Sequence, residues 1–100
     1  MHSVLELVDP AHLVRDTYLP SMTVEVSEDE LCLYLSVGAE RVRICAEDTG
    51  RPEDTGPRWV VSRETALGYL EASVFWLPNH ALASALVVLI RGASLTLMNG

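Results

Sequence analysis

Seven of the fourteen carboxylates of this chain fall in two short runs: Glu28-Asp29-Glu30, and Glu47, Asp48, Glu53 and Asp54. Carboxylates gathered in this way serve as proton-transfer groups, as cation ligands, or as negative charge shown to a basic surface. Proton transfer needs a nucleophile or a partner base at a motif spacing, and none accompanies them. The Asp-x-Asp-x-Asp-Gly order of a calcium loop is also absent. Charge presentation is the reading that remains, and it is the chemistry the sequence supports best.

The other reactive side chains are few. Cys32 and Cys45 are the two cysteines, and no CxxC or HxxxH spacing joins them to His2, His12 or His80 to complete a four-ligand zinc site. Packed free thiols are the preferred expectation for the pair, with a disulfide or a two-cysteine metal half-site as alternatives. Trp76-Leu77-Pro78-Asn79-His80 is the nearest approach to an enzyme-like cluster, but nothing stands at a catalytic spacing to pair with His80. Tyr34, Arg41 and Arg43 are of the residue types that anchor protein contacts. No cofactor motif is present.

The elements that must position these residues are written in the hydrophobic alternation of 22–46. Met22, Val24 and Val26 alternate with polar residues, as do Leu31, Leu33, Leu35 and Val37, and then Val42, Ile44 and Ala46. Folding these segments around Ser27–Glu30 and around Gly38-Ala39 keeps every apolar residue on one face. A slip of one residue would reverse the faces, so the register is strongly specified. The register predicts Cys32 opposite Cys45 and Tyr34 opposite Arg43, both pairs on the polar face. It also brings the 27–30 turn and the end of the third strand to the same end of the sheet. Glu28, Asp29 and Glu30 then lie beside Glu47, Asp48, Glu53 and Asp54, relieved mainly by Arg51 and Arg58.

An α+β fold is expected: an antiparallel meander over about 22–27, 31–37, 41–46 and 58–62, with helices on its apolar face. A short helix is read over 10–18, with Asp9 as N-cap and Pro10 in the first helical position. Residues 47–57 repeat Glu-Asp-Thr-Gly and read as a flexible acidic loop. Ala66, Leu67, Leu70, Val74 and Leu77 recur at helical spacing, which predicts a helix over 63–77 with Ser62 as its cap. A second helix over 80–90, capped by Asn79 and ended by Gly92, and a last strand over 93–98 complete the expectation, with two strands over Leu86–Ile90 and Ser94–Met98, turned at Arg91-Gly92, as the alternative.

One hundred residues, 49% of them apolar, make a single folded domain. The net charge of −7 argues against direct binding to nucleic acid, which needs clustered Lys and Arg. The run Ala72–Ile90 is uncharged, but Pro78-Asn79-His80 at its centre argues against a membrane span. The N-terminus lacks the basic and apolar regions of a secretory signal, so a reducing cytoplasm is the expected compartment. The functional expectation is a non-catalytic, protein-binding module (an adaptor, chaperone or inhibitor) whose acidic pole engages a basic partner. The apolar surplus in 72–98 suggests self-association as a homodimer. The alternative is a ligand-binding or enzymatic domain with a pocket between the sheet and helix 63–77, served by His80, Trp59 or Trp76.

Overall fold

In the computed structural model, which describes residues 3–51 and 56–99, the alternating segments form one antiparallel meander of five strands in the order of the chain. The strands are β1 (Thr23–Val26), β2 (Cys32–Val37), β3 (Glu40–Glu47), β4 (Arg58–Thr65) and β5 (Gly68–Phe75). The first two hairpins have the register read from the sequence: Val24 faces Leu35, Leu33 faces Ile44, Cys32 faces Cys45 and Tyr34 faces Arg43. Leu33, Leu35, Val42, Ile44 and Val61 point to one face and are essentially inaccessible to water.

Two helical pieces close that dry face. A 3₁₀ turn over Val4–Leu7 runs directly into α1 (Val8–Thr17), and Val4, Leu7 and Ala11 enter the core. The entry differs from the expected one. Ser3 is the cap, its hydroxyl accepting from the Leu5 amide at 3.1 Å, while Asp9 and Pro10 lie inside the first turn of α1. Pro10 is tolerated there because amides of a first turn need no intrahelical acceptor. The second piece is α2 (Pro78–Asn99), which lies across β2 to β5 and buries Ala81, Leu82, Ala85 and Leu89. Those buried positions follow the 3.6-residue period.

Two expected elements take a different form. Residues 63–77 are not a helix; they are the end of β4, a two-residue turn, β5 and the two residues that lead into α2. Thr65 organises the turn, its hydroxyl donating to the Gly68 carbonyl at 2.9 Å and accepting from the Leu67 amide at 3.2 Å. Gly68 adopts φ 106°, which side-chain-bearing residues seldom do. Pairing with β4 overrides the helical spacing because the stripe residues had no core to reach: Leu67, Leu70 and Leu77 all remain exposed. Ser62 is accordingly a buried strand residue and not a cap.

The other difference is at the C-terminal end, where 93–98 continue α2 and form no strand. Pro78 opens this helix at its first position, a place proline favours, so Asn79 is inside the first turn. Gly92 does not end the helix. It is buried where α2 rests on the start of β3, and a Cβ there would stand 2.9 Å from Glu40 Cγ and closer still to its carboxylate. Glycine serves close packing here, beside the ion pair in which Arg63 donates to Glu40 at 3.3 Å. No helix among the described residues is long and apolar enough to cross a membrane.

Candidate functional site

The acidic pole is built from the β1–β2 turn upward. Ser27 and Cys32 close the turn, the Ser27 amide donating to the Cys32 carbonyl at 2.9 Å and the Cys32 amide to the Ser27 hydroxyl at 3.0 Å. That hydroxyl donates in turn to Asp29 at 2.6 Å, and the Leu31 amide donates to the same carboxylate oxygen at 3.0 Å. Glu30 takes φ 61°, and its carbonyl accepts from the Val4 amide at 2.9 Å, tying the turn to the N-terminal segment. The turn is thus held in one shape, with Glu28, Asp29 and Glu30 exposed on it.

The bonds to Asp29 have a measurable consequence. The Ser27 hydroxyl first, and the Leu31 amide second, hold the Asp29 carboxyl below its ordinary value. The folded state therefore favours the ionised form. Its stabilising contribution is present above the unfolded pKa and is lost as the pH falls through the folded one. An NMR titration should place the Asp29 midpoint below that of a free aspartate, and Ser27→Ala should move it back up. An Asp29 midpoint unmoved by Ser27→Ala would remove the hydroxyl from the account.

The strand directions bring the second acidic run to this turn. The Ala46 amide donates to the Leu31 carbonyl at 2.9 Å, so Glu47 and Asp48 emerge beside the turn. Glu47 is paired across the strands with Arg58, at 2.9 Å from Nη2 and 3.0 Å from Nε. Asp48 accepts from the Gly50 amide at 3.3 Å, and the Thr49 hydroxyl from the Arg51 amide at 3.1 Å. Glu53 and Asp54, the remaining members of the expected cluster, lie outside the described residues. Among those described, the pole carries five carboxylates against Arg51 and Arg58.

A cleft of about 340 Å³ opens at this pole. Glu47, Asp48, Thr49, Arg51 and Arg58 line it together with Val74 and Trp76, at the end of β5, which supply an apolar wall. The wall is the part that sequence reasoning missed. Its signal was present in Val74 and Trp76 flanking Phe75, but the stripe assigned to a helix concealed the alternation.

Tyr34 and Arg43 lie away from the pole, on the open polar face of the sheet. They are opposite in register as expected, yet they do not stack on each other. The Arg41 guanidinium lies 4.8 Å from the Tyr34 ring centre, and that of Arg43 lies 4.4 Å from the ring centre of Tyr69. The two tyrosine rings are 6.1 Å apart and tilted. Long side chains lean past their direct partners to diagonal neighbours on a sheet face, and β5 adds Tyr69 where no strand was expected. Burial pushes the Tyr69 phenol above its ordinary value, against the attraction of Arg41. Tyr69 Oη and the Nε atoms of Arg41 and Arg43 are enclosed without hydrogen-bond partners among the described residues. Cation–π contacts thus knit these four side chains into one another.

Between this cluster and the pole stands the cysteine pair. Cys32 and Cys45 are joined by a disulfide, with their Cα atoms 4.3 Å apart. The free-thiol expectation is corrected on that point. The neighbouring Ala46–Leu31 bond makes Cys32–Cys45 a non-hydrogen-bonded pair, the type in which opposing side chains approach most closely. The free-thiol expectation rests on the reducing compartment read from the N-terminus, whereas the register already sets the two cysteines opposite each other.

The residues of the alternative reading are dispersed. Helix 63–77, the roof of its pocket, is a strand; Trp59 is buried in the core, whereas Trp76 and His80 face solvent. Compared with family models, with curated proteins and with solved structures, the chain matches none.

Proposed function

We propose that this chain is a non-catalytic, protein-binding module, and that its acidic pole receives a basic surface of another protein. The observation that carries the reading is the juxtaposition of the Ser27–Glu30 turn with Glu47 and Asp48, made by the Ala46–Leu31 backbone bond. Each run alone would be an ordinary solvated turn. Together they focus negative charge at one end of a rigid sheet, which accelerates encounter with a basic surface and disfavours acidic ones. Arg58 neutralises Glu47 inside the cleft, so the negative field comes from the turn and from Asp48. An arginine or lysine of the partner would direct its charge toward Asp48, which is exposed beside the turn.

The test is a kinetic one, on a partner recovered by affinity purification from the native host. The triple variant Glu28→Gln, Glu30→Gln, Asp48→Asn should slow association about tenfold at low salt and flatten its dependence on ionic strength. Dissociation should change less. An association rate and salt slope equal to those of the unaltered chain would exclude the pole as the binding surface.

A further inference from the structure

The two edges of the sheet are unlike each other. β1 is four residues long, carries Glu25 and has α1 against it, all features that discourage pairing with another chain. β5 is eight residues long, borders no further strand in the sheet, and has Glu71 as its sole charge. Exposed apolar side chains crowd its two ends. Leu67 and Leu70 are 91% and 55% exposed at one end, and Trp76 and Leu77 are 63% and 51% exposed at the other.

The unpaired groups of β5 can be located. Hydrogen-bonded and non-hydrogen-bonded pairs alternate along an antiparallel ladder. Counting across β3 and β4 from the non-bonded Cys32–Cys45 pair makes Val61–Ser73 and Trp59–Phe75 bonded pairs. Thr65–Gly68 closes its two-residue turn as a bonded pair. The backbone amides of Tyr69 and Val74 therefore point away from β4, toward the open edge.

We propose that the β5 edge is a dimer interface, on which a second copy of this chain lays its own β5 antiparallel to form a continuous ten-stranded sheet. The register sets Tyr69 opposite the second copy's Val74, so that outward groups meet outward groups and an aromatic residue meets a β-branched one. The same register brings Leu67 to the second copy's Trp76, joining the apolar patches at the two ends. In this register Glu71 stands opposite the second copy's Ala72, and the two Glu71 positions lie on either side of the two-fold axis. The contact is isologous and closes on itself.

The acidic poles do not oppose this occupant. β5 ends at the acidic pole, because Phe75 pairs with Trp59 beside Arg58 and Glu47. Antiparallel pairing sends the poles of the two copies to opposite ends of the strand, separated by about 27 Å for eight residues. The screening length at physiological salt is about 8 Å. Two chains of net charge −7 thus associate without bringing their acidic poles together, and the carboxylates of both poles stay open.

Sedimentation of the full chain at tens of micromolar tests this. The expected mass is twice the 11.0 kDa of one chain. Val74→Pro removes an outward amide and should raise the dissociation constant at least tenfold. Leu67→Asp, in an exposed turn where folding is not at issue, should do the same. The pole variant Glu28→Gln, Glu30→Gln, Asp48→Asn should leave the dimer intact, which separates this interface from partner binding at the pole. A chain that sediments as a monomer overturns the proposal, whether or not a foreign strand occupies the edge in material from the host. A dimer that survives both edge variants overturns it equally.

Discussion

Replacing Leu33 by alanine should lower the unfolding free energy by about 2–5 kcal/mol, while Thr23→Ala should stay within about 0.5 kcal/mol. Both residues sit on neighbouring strands of one sheet, and the contrast depends only on the face. Leu33 is fully enclosed, facing Ile44 in the centre of the core under the helices. Truncating it removes apolar surface from a close-packed interior that relaxes only in part, so a cavity term adds to the lost transfer energy. Thr23 is exposed on the polar face, where its hydroxyl meets that of Ser36 and water replaces the contact. Urea unfolding of the two variants decides the matter, with the midpoint shifting at constant slope. Equal shifts would mean that the dry and wet faces are wrongly assigned.

The part of the fold on which that prediction rests was legible from alternation alone. In residues 22–46 each polar position separates two apolar ones, and only one register satisfies both hairpins at once. The pole followed from strand direction, which the same register dictates, and so did Cys32 opposite Cys45. Residues 63–77 resisted reading for a definite reason. Leu67, Leu70, Val74 and Leu77 recur every three or four residues, but they do so on a surface, where spacing reports no buried face. The better signals were Thr65 and Gly68 around a two-residue turn, followed by Tyr69, Val74 and Phe75, which prefer strands. Missing β5 also hid Tyr69, the cleft wall and the free edge. Gly92 misled in the opposite way: a helix-ending glycine and a close-packing glycine are the same letter, and only the position of Glu40 distinguishes them.

Reducing the Cys32–Cys45 bond, or replacing both cysteines by alanine, should cost about 2–3 kcal/mol while leaving the meander folded. The bridge spans a separation of 13 residues. A loop of that order, left open in the unfolded chain, gains conformational freedom that the bridged chain lacks. The folded state should change little. The β2–β3 ladder is independently held by its turn at Gly38-Ala39, by the pairing of Leu33 with Ile44 and Leu35 with Val42, and by β4 on its other side. The effect therefore acts through the unfolded ensemble, and two observables should move together. Under reducing conditions the urea midpoint should fall, and the slope should rise because the open chain exposes more surface on unfolding. The amide spectrum away from residues 27–32 and 44–47 should stay in place. A midpoint indifferent to reductant would mean that the pair adds nothing to stability. Wholesale loss of the sheet would mean that the hairpin depends on its bridge, contrary to the packing around Leu33 and Ile44.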